Sequence, residues 1–329
     1  MYTTSDGKTR LYITIPSNAP SYARTLELKF GITSGSVTVD YGDGNTAVTV
    51  TDSSVSLSHD YTNTGDYIIT LTVKSGTVQL NAKIFNDSNE TANCRIWLTR
   101  AEIGNGVTSL GGSTFSNCYT LQNVTIPSGV IRVGGDTFSN CYALQSVTIP
   151  NTATTINSGG IFFNCCALQS IIIPNGVTNI GSSVFTGCNM QNVIIPNTVT
   201  SLGNNTLSYC YTLQSIIIPN GITRIGSNMF TYCYSLQSVT IPSGVISIES
   251  NAFSYCYALR AIHFKPSTPP TVNNSNAWYG LQSSCKIYIP FSASINYLTA
   301  TNYPSTSTYT YIGYATYADG AALPTQDSS

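Results

Sequence analysis

From about Asn93 to Phe264, apolar positions return with a period of about 23 residues. One unit reads FTYCYSLQSVTIPSGV over residues 230–245, and its cysteine recurs at 118, 141, 165, 188, 210, 233 and 256. In Leu144–Pro150, Val147 and Ile149 alternate with Ser146 and Thr148, which predicts a short strand with one buried face. Pro150 ends it, and Ser-Gly or Asn-Gly pairs such as 128–129, 175–176, 220–221 and 243–244 supply turns. A second aliphatic follows (Ile180, Leu202, Ile225, Ile248). Then comes an aromatic at Phe115, Phe138, Phe162 or Phe163, Phe185, Phe230 and Phe253, with Leu207 in that place once. A unit this short closes no core alone, so the pattern predicts a solenoid of stacked coils.

The flanks carry other periods. Residues 10–15, 25–30, 36–40, 46–50 and 67–73 alternate as strands of an all-β sandwich over 1–85. Residues 86–93 shift to Asn, Asp, Ser and Glu and read as a junction. Cys94 to Leu98 opens the cap of the array, and Ala101–Val107 is a first unit with Gly104 in place of proline. After Phe264, prolines at 266, 269 and 270 break the repeat. Residues 265–329 form a cap and tail, with a closing strand at 285–290, a helix at 293–300 and a strand from Tyr309.

The repeat resembles the BspA-like, or treponemal, class of leucine-rich repeats. Cys, two residues, Leu, two residues, Ile/Val, one residue and Ile-Pro carry the resemblance, with a Val/Ile three residues after the proline. It implies a leucine-rich-repeat array over 94–264 that often ends in a strand and a short helix. Members are mostly surface or secreted adhesion and recognition proteins of bacteria and some protists. The N-terminal segment resembles a PKD domain, an immunoglobulin-like spacer of extracellular proteins. The pieces are Tyr41-Gly42-Asp43-Gly44, then His59-Asp60-Tyr61, then Gly65-Asp66-Tyr67 leading into a strand; Thr38 and Val39 stand near the usual tryptophan. The fold class expected is therefore mainly β, an immunoglobulin-like sandwich followed by a solenoid. Asp43 is read as capping a tight turn and His59 as holding it.

Only 8% of the 329 residues are charged and the formal net charge is −1, which disfavours nucleic acid as a partner. No apolar run reaches membrane-spanning length. Met1–Gly7 lacks a basic and an apolar leader region, leaving two expectations: a leader removed, or a virion component assembled inside a host cell. Of ten cysteines, seven share one repeat position, which reads as a ladder of buried free thiols. Cys166 follows Cys165 where tyrosine is usual. No metal site or cofactor is expected.

Two stripes are candidate binding surfaces. The central outward strand position reads Thr125, Thr148, Ile172, Ile194, Ile217, Thr240 and His263, so three isoleucines make an apolar strip. The second stripe follows each cysteine at Tyr119, Tyr142, Tyr211, Tyr234 and Tyr257, and is doubled before it by Tyr209, Tyr232 and Tyr255. Tyrosine offers a flat apolar face and a hydroxyl, which suits glycans and protein epitopes alike. The bland alternatives are that β-branched residues simply favour strands or are covered by a domain or another copy, and that the rings stack on one another. A Gln column at 122, 145, 169, 191, 214 and 237 is an amide ladder or a solvated edge.

The array's acids, Glu102, Asp136 and Glu249, stand far apart with His263 as its one histidine, so no catalytic group is assembled. The expectation is a non-enzymatic protein, extracellular or on a cell surface, binding a surface protein or glycan. The alternative is a structural, decorating or receptor-binding part of a bacteriophage particle, docked on a virion scaffold or as a homo-oligomer.

Overall fold

A computed structural model describes residues 6–20, 24–80, 97–153, 155–156 and 159–314. The N-terminal segment folds into β1 (Thr9–Ile15), β2 (Thr25–Asp40), β3 (Val48–Val50), β4 (Ser54–Asp60) and β5 (Gly65–Leu80). The sequence misses β4, because only Val55 and Leu57 alternate there. All internal pairings are antiparallel. β2 and β5 are long and each serves two ladders. Thr25–Gly31 of β2 pairs with β4, whereas Val37–Val39 lies between β3 and the first half of β5. Register shifts between Ile32 and Ser34 and between Ser36 and Val37 mark where the strands change ladder.

Between those shifts Gly35 faces Gly76, both in the left-handed region at φ 88° and 77°. A Cβ on either glycine would overlap the carbonyl oxygen of a facing serine, Ser75 or Ser34. Glycine is required there by both conformation and space.

The N-terminal strands share one sheet with the first strands of the array. β1 pairs antiparallel with β6 (Leu98–Glu102), and the end of β5 pairs in parallel with β7 (Val107–Leu110). Both ladders of the solenoid therefore begin on the N-terminal strands, which cover an edge that would otherwise be open. Trp97 is buried and its carbonyl accepts from the Thr14 amide, whereas Cys94 and the 86–93 junction fall outside the described residues. Gly104 replaces proline because the chain at Gly7–Thr9 presses on it, and its N–H donates to Thr9 Oγ1 at 2.9 Å. Proline has neither the donor nor the room.

Beyond β6 the coils add strands in parallel, residue for residue, as Asn123–Thr125 on β6, then Ser146–Thr148, and later Ser215–Ile217 on Asn192–Ile194, while the coil at Ile172 adds a single bridge to Thr148. After the strand, the amide three residues past the proline closes a turn onto the proline carbonyl, as at Val130, Ala153, Val177, Val199, Ile222 and Val245. Inside, Phe115, Phe138, Phe162 and Phe185 stack with centroids 5.6–5.8 Å apart, and Phe230, Phe253 and Trp278 continue the column at 5.2–5.4 Å. Phe162, not Phe163, takes the core place.

The seven repeat cysteines are free and buried. Cys141, Cys165, Cys188, Cys210, Cys233 and Cys256 each donate S–H to the carbonyl of the core aromatic, or Leu207, of the preceding coil at 3.1–3.2 Å. A thiol is thus small enough for the core and still gives that oxygen a partner. Burial pushes these thiols up, Cys210 and Cys256 to about 12. Among the described cysteines Cys166 alone is exposed. In the native protein a thiol reagent at pH 8 should modify Cys166 and leave the ladder untouched until denaturant is added; a Cys166→Ser variant tested alongside should lose that one equivalent.

At the far end the ladder runs on through Lys286–Pro290 and Thr310–Tyr314, both in parallel. α1 (Ser294–Thr299) lies between them, as the sequence leads one to expect. Tyr297 Oη donates to the Pro266 carbonyl at 2.7 Å and Trp278 Nε1 to that of Asn302 at 2.9 Å, so the aromatic cluster of Phe264, Trp278, Tyr297 and Tyr303 closes the core. At the N-terminal turn, His59 Nε2 lies 2.8 Å from Asp43 Oδ2 and stacks on Tyr41, and Asp43 accepts from the Asn45 amide. These are structural roles, as the sequence reading assigned them.

Candidate functional site

The loop between the core aromatic and the next strand decides what the solenoid shows along one edge. The residue before the cysteine is left-handed in all seven coils: Asn117, Asn140, Asn164, Gly187, Tyr209, Tyr232 and Tyr255, with φ of 57–75°. Asparagine and glycine take this conformation readily and tyrosine does not. In the first three coils the amides form a ladder, Asn140 Nδ2 to Asn117 Oδ1 at 2.8 Å and Asn164 Nδ2 to Asn140 Oδ1 at 3.0 Å. In the last three coils a left-handed residue with a bulky side chain costs about 1–2 kcal/mol each, and ring stacking offsets it.

The next turn places the residue after the cysteine in solvent, and the two positions build a grid of six tyrosines. Tyr209–Tyr232–Tyr255 stack with centroids 4.8 and 4.5 Å apart, and Tyr211–Tyr234–Tyr257 at 5.2 and 5.5 Å. Within each coil the two rings meet edge to face at 5.9–6.2 Å. Tyr119 and Tyr142 form a separate stack at 5.3 Å. Tyr232 and Tyr255 are half-buried and the other six are exposed. The self-stacking named as the bland alternative is therefore present. Interior rings turn their faces to each other and offer mainly edges and hydroxyls.

On the strand face Ile172, Ile194 and Ile217 are 80%, 78% and 75% exposed, and Ile194 and Ile217 are register partners. The row runs on to His263, which differs from the isoleucines. Its ring stacks on Tyr288 at 4.3 Å, and its Nδ1 is buried without a hydrogen-bond partner. Burial lowers its pKa below the ordinary 6.5. The unfolded chain then takes up the proton first as pH falls, so the neutral ring's contribution is lost on going down through 6.5. Between pH 7 and 5.5 the melting temperature should fall, and a His263→Phe variant should flatten that part of the profile.

The Gln side chains are exposed while the backbones at 122, 145, 191, 214 and 237 carry coil-to-coil hydrogen bonds, which is the solvated-edge alternative. The array's charges are local. Arg100 pairs with Glu102, which also accepts from Tyr12 Oη at 3.0 Å, and Arg224 pairs with Glu249 at 3.1 Å. Asp136 sits on the rim of a shallow hollow of about 660 Å³ shared with Ser113, Asn140, Gly160, Phe163 and Ser183. Sequence reasoning missed that hollow and the left-handed tyrosines. The signal for the latter was present: Asn117, Asn140 and Asn164 occupy the same register.

The pattern of BspA type leucine-rich repeat regions matches residues 53–165, 88–214 and 159–283 in six copies, together more than half of the sequence. The chain belongs to the BspA-type leucine-rich repeat family. Among solved structures it is similar to a leucine-rich repeat protein of Bacteroides ovatus, at 25% identity and a TM-score of 0.55, over 67% of this chain and 57% of that one. This BspA-type chain thus spans less than two thirds of that protein. It is also similar to the leucine-rich repeat protein TpLRR of T. pallidum (26% identity, TM-score 0.42, 47% and 72% covered). A leucine rich cell surface protein of Faecalibacterium prausnitzii follows at 21%, with TM-score 0.32 and 74% and 86% covered. No curated protein matches.

Proposed function

We propose that this BspA-type chain is a non-enzymatic recognition protein, displayed on a bacterial surface, that engages a protein or glycan through the tyrosine-bearing loop edge of its coils. The observation that carries the reading is the grid itself. Six tyrosines gather on one edge, three of them in a backbone conformation their side chains disfavour, at positions where asparagine serves the same fold without strain. Strain kept where a cheaper residue works points to use of the side chain. Tyrosine edges and hydroxyls on a rigid scaffold are adaptable contacts of low entropic cost. The N-terminal strands act as a PKD-like spacer fused to the array.

Binding of fluorescently labelled protein to intact bacteria, extracellular-matrix proteins and glycans tests this. A variant with Tyr211, Tyr234 and Tyr257 changed to Ser should lose saturable binding. The corresponding Phe variant keeps the stacks and reports on the hydroxyls alone. Equal binding by the Ser variant, folded by circular dichroism, rejects the reading.

A further inference from the structure

The tyrosine column is interrupted, and the interruption is built from several departures in two adjacent coils. Cys166 stands where Tyr119, Tyr142, Tyr211, Tyr234 and Tyr257 stand in other coils. In the next coil the loop is shorter: Cys188-Asn189-Met190-Gln191 replaces Cys165-Cys166-Ala167-Leu168-Gln169, and this is why the step from Cys188 to Cys210 is 22 residues. Met190 takes the buried place of Leu168, so one loop residue has been removed from the rim and none from the core. Gly187 removes the side chain at the left-handed position of the same coil.

The consequence follows from how the rings stack. Interior faces are covered by neighbours, so whole faces remain only at the ends of stacks. The far end of the large grid is closed: Tyr279 meets Tyr255 edge-on at 5.1 Å, and Gly280 lies against the Tyr257 ring. The inner end is open. Tyr209 is 43% exposed whereas Tyr232 and Tyr255 are half-buried, as a terminal ring with a free face should be; in the outer column Tyr211, Tyr234 and Tyr257 are alike at 44%, 40% and 45%. On the other side of the break Tyr142 ends its own stack. Three coil steps of about 4.8 Å separate the Tyr142 and Tyr211 positions by roughly 14 Å along the array, with Cys166 and Asn189 in the coils between them.

We infer that this gap is the ligand slot of the tyrosine edge and that it takes a neutral saccharide. The inference rests on the recognition reading above and adds the place and the chemical class. An aromatic face on each wall suits the C–H face of a sugar ring. The Asn189 amide and the tyrosine hydroxyls supply both donors and acceptors for sugar hydroxyls. Cys166, Gly187, Asn189, Tyr142, Tyr209 and Tyr211 include no charged side chain, which favours an uncharged ligand over a sialylated or sulfated one.

The test fills the slot with the repeat's own residue. Full-length protein is applied to an array of neutral oligosaccharides of glucose, galactose, mannose and N-acetylglucosamine, with sialylated, sulfated and protein targets alongside. Wild type should bind neutral members saturably. Cys166→Tyr/Asn189→Tyr should weaken this at least about tenfold, and Ile246→Ser, at an exposed position outside the tyrosine edge, should change it by less than about threefold. If the filled variant does not fold, Tyr211→Ser, which removes one wall, should give the tenfold loss instead. Unchanged binding by the folded filler overturns the slot and leaves edge recognition standing. Binding to proteins or charged glycans only overturns the ligand class. No binding to any target overturns the recognition reading together with the slot.

Discussion

Replacing Phe138 by alanine should destabilise the protein by about 3–5 kcal/mol, the range for emptying a buried phenylalanine site. Phe138 is fully buried with Phe115 and Phe162 stacked on either side at 5.7 and 5.6 Å. Truncation opens a void between two rigid rings whose backbones are fixed by coil-to-coil hydrogen bonds, so little collapse can fill it. The array supplies its own control. Coil five carries Leu207 at this position, fully buried between Phe185 and Phe230. Phe138→Leu should therefore cost less than about 1.5 kcal/mol. Urea melts followed by circular dichroism measure both. Equal losses for the two variants would mean that the column is not a packed stack. Because each coil contacts only its neighbours, the alanine variant should also broaden the transition, as the two halves of the array uncouple.

The second large effect is expected outside the repeats. Gly35→Ala should cost about 3 kcal/mol or more, because the new Cβ must take a left-handed backbone and also meet the Ser75 carbonyl. Gly44 separates the two contributions. It too is left-handed, at φ 86°, with nothing near its Cβ position. Gly44→Ala should cost only the conformational part, about 1–2 kcal/mol. Since β2 and β5 cross between ladders at Gly35 and Gly76, the damage should reach the solenoid. Limited proteolysis of Gly35→Ala should release fragments cut near β6 and β7 as well as within the N-terminal strands. Cleavage confined to the N-terminal strands would mean that the two parts are stabilised independently.

The repeat was legible because its period, its proline and its cysteine recur in every coil, and a stacked architecture turns recurrence directly into contact. The closing strand, the short helix and the last strand were legible for the same reason: each presents an apolar pattern to the end of a column. The fusion of the N-terminal strands to the array was not. It depends on pairing Leu11 with Ala101 and Val78 with Val107 across long stretches of chain, and nothing local to β1 or β5 encodes those partners. At the candidate site the tyrosines were found from spacing. Their stacking direction was not, since it follows from side-chain rotamers and from the left-handed backbone at Tyr209, Tyr232 and Tyr255. The break at Cys166 and Asn189 was visible as a substitution and a step of 22. That it falls between the ends of two ring stacks is a property of the folded array.

The central claim is that the loop edge, and not the isoleucine strand face, meets the ligand. Hydroxyl-radical footprinting with mass spectrometry, on protein free and bound to the strongest target of the binding panel, tests it directly. The account predicts protection at Tyr142, Tyr209 and Tyr211 with Ile172, Ile194 and Ile217 unchanged. Protection of those isoleucines with the tyrosines still reactive would contradict it.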